Sequence, residues 1–200
     1  MEVAKETVTP YTPGEDEMLH ALGHVYYEIQ QFYWCIVLQS QMPKETFRAI
    51  QNAYLESMLV HVRVLKDFFE QPSRRVDCKT QQEMDDVLSS DFGFKKAATI
   101  VELPQETQRR INKELVHLTY SRQKRVTFDE KKWDFDLILP LVMRCIEFMQ
   151  SRTDEELQRM DVYRVQKGMD PLAPAWANLL NQLLIPLSVA MQKSLTATTT

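Results

Sequence analysis

Apolar side chains recur along this chain at three- and four-residue steps, the spacing of one face of an α-helix. From Glu15 the stripe reads Met18, Leu22, Val25, Ile29, Phe32 and Ile36, predicting a first helix that runs to about Gln41. Pro43 interrupts it and is expected to open the second helix, at a first-turn position where its missing N–H costs nothing. The second helix, about Lys44 to Glu70, carries Phe47, Tyr54, Met58, His61, Leu65 and Phe68 on one face. Leu55, Leu59, Val62 and Val64 widen that face until Glu56, Arg63 and Asp67 are left for water, which predicts a central, buried helix. Arg63 and Asp67, at i,i+4, are expected to form a surface ion pair.

Residues 71–80, with Pro72 and two arginines, read as a loop, and Gln81 to Ser90 as a short helix stopped by the turn Asp91-Phe92-Gly93. A third long helix is predicted from Pro104 to about Gln123, with Ile111, Leu115 and Leu118 inward. A fourth runs from Trp133 to Ser151 through Phe135, Ile138, Val142, Cys145 and Met149, with Pro140 kinking it or shifting its start. Thr153 to Val165 is a charged helix. Met169 to Pro174 reads as a hinge, and Trp176, Leu179, Leu180, Leu183, Leu187 and Ala190 mark one face of a final helix. The expected architecture is all-α: an antiparallel bundle of four long helices, with short accessory helices and a C-terminal amphipathic helix. Residues 1–14 form a loose arm, 15–168 the bundle, and 169–200 the hinge, the last helix and a disordered end.

Composition adds limits. Four glycines in 200 residues are too few for the tight turns of an all-β fold. Cys35, Cys78 and Cys145 are far apart and odd in number, which is neither a disulfide framework nor a zinc site and fits a reducing compartment. The N-terminus has no apolar core of a secretory signal, and Asn178, Asn181, Gln182 and Pro186 interrupt the last apolar run, so the expectation is a cytoplasmic protein without a membrane span. A formal net charge of −4 argues against coating nucleic acid by bulk charge, but leaves room for a local basic patch.

Three sets of residues suggest chemistry. Glu17-x-x-His20 and Glu114-x-x-His117 have the spacing of di-iron carboxylate bundles, which also need inward glutamates from two other helices. Glu56 and Glu147 are the candidates, and each falls on the polar side of its helix, as do His20 and His24. No cofactor is therefore expected, and a di-metal bundle ranks third among the functional readings. His61, alone in the most apolar stripe, reads as a hydrogen-bonded core residue.

The third helix holds the densest set. Arg110 and His117 are seven residues apart and so lie within about 20° of each other, at the polar edge of the core stripe. Such a pair can cleave a phosphodiester without a metal: the imidazole moves a proton to or from a ribose hydroxyl or leaving oxygen, and the guanidinium holds charge on the phosphate. Arg109, Lys113, Arg122, Lys124 and Arg125 surround it as a basic strip suited to nucleic acid, or as a solvated helix face.

An arginine, six residues and a histidine on a long helix of a bundle resemble the motif of the HEPN superfamily (higher-eukaryote and prokaryote nucleotide-binding domains). The resemblance covers residues 15–151 in architecture and two residues in motif. It implies a metal-independent ribonuclease or an RNA-binding relative, of a defence or toxin–antitoxin kind, acting as a homodimer. His117 would be the acid/base, Arg110 the phosphate contact, and Asn112 a neighbour. The commoner pattern places a polar residue directly after the arginine; here Ile111, a core residue, stands there. The phrases LVHVRVLKDFF, DDVLSSDFGF and INKELVHLTYSR also resemble bacterial all-helical proteins of this size, without implying an activity. The final helix is expected to dock on the bundle or on a second subunit; the alternative function is a non-enzymatic module in which that helix docks on a protein partner through Trp176, Leu180, Leu183 and Leu187.

Overall fold

The computed structural model describes residues 8–43, 45–94, 109, 111 and 138–184. Apart from one two-stranded hairpin they are helical or irregular, so the chain is mostly α, as its periodicity predicts. Among the described residues no helix is long and apolar enough to cross a membrane.

Helix α1 spans Glu15–Gln41, the range the pattern predicts. Glu15, Asp16 and Glu17 fill its first turn, where carboxylates complement the positive end of the helix dipole. Glu17 also accepts the Gly14 N–H at 2.7 Å, satisfying a backbone donor just ahead of the first turn. Leu22, Val25, Ile29 and Phe32 of the predicted stripe are buried, with Tyr26 and Cys35 beside them.

Helix α2 spans Arg48–Glu70 and starts later than expected. Pro43 does not open it: the Thr46 N–H closes a turn onto the Pro43 carbonyl, and Phe47 sits ahead of the helix in a non-helical conformation. Phe47, assigned to the core from its spacing, is consequently 73% exposed. Nor is α2 apolar and buried all round. Met58, Leu59, Val62, Leu65, Phe68 and Phe69 are buried, but Val60 and Val64 are exposed, so α2 keeps an open face. Its i,i+4 ion pair is Lys66–Glu70, at 2.7 Å; Arg63 and Asp67 do not pair. Cys35 meets Ser57 and Glu28 meets His61, so α1 and α2 run antiparallel as a helical hairpin.

The short helix expected over Gln81 to Ser90 is absent. Instead β1 (Val76–Asp77) and β2 (Gln82–Glu83) pair antiparallel, Val76 opposite Glu83. The turn between them is held by the Asp77 carboxylate, which accepts the N–H groups of Lys79 and Thr80. Gln81 closes it at φ 54°, a left-handed conformation that breaks any helix there. The segment before α1 is tied to this hairpin: the Thr9 N–H donates to Gln81, and Thr9 accepts from Glu83. A 3-10 turn, η1 (Ser89–Phe92), then ends at Gly93, whose φ of 67° favours a residue without a Cβ.

Helix α3 spans Leu139–Gln150, with Pro140 in its first turn rather than at a kink. Helix α4, Asp154–Gln166, opens on a reciprocal capping box between Thr153 and Glu156. A last helix, α5, covers 173–184. The stretch expected as a hinge is held at both ends. Asp161 accepts the Leu172 and Ala173 N–H groups, and Arg164 donates to the Asp170 carbonyl at 2.7 Å.

The core gathers around Phe148, which is fully buried. Phe68, Phe69, Phe92 and Phe94 surround it with ring centroids 5.2–5.9 Å away, mostly edge to face, the arrangement that aligns ring edges with π-faces. Trp176 of α5 joins this cluster, stacks on Tyr26 at 5.8 Å, and donates its indole N–H to the Met149 carbonyl. The guanidinium of Arg152 lies 4.8 Å above the Phe148 ring, covering the cluster on one side. Burial in this core pushes the Cys145 thiol far above its ordinary value, so it is an inert, structural cysteine.

Candidate functional site

Arg110, Lys113, His117, Arg122, Lys124 and Arg125 lie outside the described residues, as do Asn112 and Glu114. Two neighbours are described: Arg109 is helical and exposed, and Ile111 is 3% exposed in the core. At about 100° per residue these two should face nearly opposite directions, as they do. In the C-terminal helix, Trp176 and Leu183 are each 2% exposed and Leu180 is half-buried, all packed on the chain's own core. Leu187 lies outside the described residues.

The first Glu-x-x-His pair is engaged otherwise. Glu17 accepts from Gly14 and from the Tyr11 hydroxyl, and these bonds, the backbone one foremost, hold its carboxyl below the ordinary range. His20 turns to His24 on the next turn of α1, with the two Nε2 atoms 2.9 Å apart, so one must donate and the other accept. Glu56 and Glu147 face outward as their positions predict, Glu147 toward Arg144 at 2.7 Å. Among the described residues no group of three or more His, Cys, Asp or Glu is placed to hold a metal ion.

The described residues do enclose a groove of about 620 Å³ between α1 and α2, closed at one end by the segment after β2. That volume suits a small organic ligand. Val64, Leu65 and Phe68 of α2 line one side, and His20, Ala21, His24 and Val25 of α1 the other. Glu28 sits toward the far end, hydrogen-bonded to His61 Nδ1 at 2.7 Å. His61 is therefore the hydrogen-bonded residue its stripe predicts, only half-buried, with the edge of Tyr27 beside it at 6.4 Å.

The closed end is polar and acidic. Asp86 takes Arg75 in a two-pronged ion pair and accepts from Gln71 as well. The Arg75 hydrogen bond, supported by those from its own backbone and from Gln71, holds the Asp86 carboxyl far below the ordinary carboxylate range. Glu17, Asp67, Asp85 and Asp86 thus face a single guanidinium, already occupied by Asp86. The carboxylates of Asp67 and Asp85 have no hydrogen-bond or ion-pair partner among the described residues.

Sequence spacing alone misses this groove because its two walls come from different helices and its end from a hairpin whose sequence reads as a loop followed by a short helix. The signal within the sequence is Val64, an apolar residue at the edge of the α2 stripe next to Asp67. No protein-family model, curated protein or solved structure matches the chain.

Proposed function

We propose that the chain is a cytoplasmic, HEPN-like antiparallel bundle of four long helices that binds RNA and cleaves it without a metal ion, as a homodimer. The observation that supports this reading is the orientation of the residues flanking Arg110: Arg109 outward and Ile111 in the core. From that register, an ideal helix carries Arg110 and His117 together at the edge of the core stripe, about 100–120° from Ile111. His117 then takes the proton of a ribose 2′-hydroxyl. The 2′-oxygen bonds to phosphorus, the bond to the 5′-oxygen breaks, and water protonates the leaving oxygen. Arg110 holds the non-bridging oxygens as charge grows on them.

The alternative, a partner recruited through the C-terminal helix, would require Trp176 to leave a site where it is 2% exposed and hydrogen-bonded. That weighs toward the first reading. The test is cleavage of a labelled single-stranded RNA in excess EDTA. The wild-type chain should cut it, and His117→Ala should lose at least about a hundredfold in rate with an unchanged circular dichroism spectrum. Cleavage that persists in His117→Ala, cleavage that needs added divalent metal, or an RNA neither cut nor bound by the wild type would each overturn the proposal.

A further inference from the structure

We infer that the groove between α1 and α2 is a binding site for a small organic cation: an amine with an elongated apolar body. Three features of the groove point to this chemistry. Its length is set by α1, where Glu17 and Glu28, eleven residues apart, border opposite ends, roughly 16 Å at 1.5 Å per residue. Its walls between those ends are largely apolar, with Val25, Val64, Leu65 and Phe68 exposed toward the opening or lying beneath it, and with the hydrogen-bonded imidazoles of His20 and His24 on the α1 side.

Its polar groups are unequally distributed. At the Glu28 end the carboxylate already has His61 as a partner at 2.7 Å. At the hairpin end, Asp86 is matched by Arg75, leaving Asp67 and Asp85 as carboxylates with no ion pair of their own among the described residues. Both are close to that end's other groups, Asp67 acting on Arg75 and Asp85 on Tyr11 through their charges. An ammonium group placed there gains two carboxylates, while its hydrocarbon chain covers the apolar wall toward Glu28. A carboxylate ligand would meet net negative charge, and an uncharged alcohol would gain the wall alone.

The inference is independent of the RNA reading, since it uses none of residues 109–125. It is tested by isothermal titration of the full chain with octylamine, octanoate and octanol near neutral pH. Octylamine should bind at least tenfold more tightly than either control. Asp67→Asn/Asp85→Asn, both exposed positions, should remove at least tenfold of that affinity, and Val64→Trp should block the wall and weaken octylamine and octanol alike. Equal affinity for octylamine and octanoate, no octylamine binding at millimolar concentration, or unchanged affinity in a folded Asp67→Asn/Asp85→Asn chain would overturn it. The octanoate comparison needs no variant, so it decides the matter even if a substitution harms folding.

Discussion

Helix α2 separates two unlike regions. On one face, Phe68 and Phe69 enter an aromatic cluster centred on Phe148, where rings meet edge to face and Trp176 closes the cluster from the C-terminal helix. On the other, the same Phe68 and its neighbours Val64 and Leu65 border an open groove lined at one end by carboxylates. In the first region Phe68, Phe69, Phe148 and Trp176 are buried, with Phe92 and Phe94 half-buried at its edge; the second keeps carboxylates without ion-pair partners beside an apolar wall. The difference teaches where each property of the chain resides. Cohesion comes from side chains whose contacts are complete, and capacity to bind comes from those whose contacts are not.

The comparison can be broken most severely at Trp176. Trp176→Ala removes a buried indole from between Tyr26 and Phe148 and leaves the Met149 carbonyl without its donor. The expected loss is about 3–5 kcal/mol, read as a fall of roughly 10 °C in melting temperature. A smaller loss is expected where the groove borrows from the core. Glu28→Ala strips His61 of its partner in a half-buried setting, costing about 1–2 kcal/mol by urea denaturation, and Glu28→Gln should restore part of it.

Asp86 comes next. Asp86→Asn should cost about 1 kcal/mol at neutral pH, since one partner, Arg75, is largely exposed. Because Arg75 lowers the folded-state pKa, this stabilisation is present above the unfolded-state carboxylate value, about 3.9, and is lost as pH falls through the lower folded value. Wild type and Asp86→Asn should therefore converge in stability in strong acid, which denaturation at a series of pH values will show.

The helical half of this comparison was legible in the sequence, and the groove was not. The stripe of α1 and the inward residues Met58, Leu65, Cys145 and Met149 follow from a period that any helix must bury against something. The hairpin departs from the helical expectation because Gln81 takes a left-handed φ that no residue type there announces, and because Asp77 organises its turn through side-chain bonds two and three residues on. Phe47 was misread because hydrophobic spacing does not locate where a helix begins; the turn after Pro43 does. The groove depends on which helices become neighbours, information a single periodicity does not hold. Arg110 and His117 stand differently: their motif is read from spacing, and among their neighbours only the opposite exposures of Arg109 and Ile111 bear on it.

The division of labour across α2 is tested most directly by urea denaturation of Asp67→Asn/Asp85→Asn beside Trp176→Ala. The double variant should stay within about 0.5 kcal/mol of wild type, because its two exposed carboxylates make no ion pair of their own, while Trp176→Ala loses several kcal/mol. A double variant destabilised by about 2 kcal/mol or more, or a Trp176→Ala chain as stable as wild type, would contradict it.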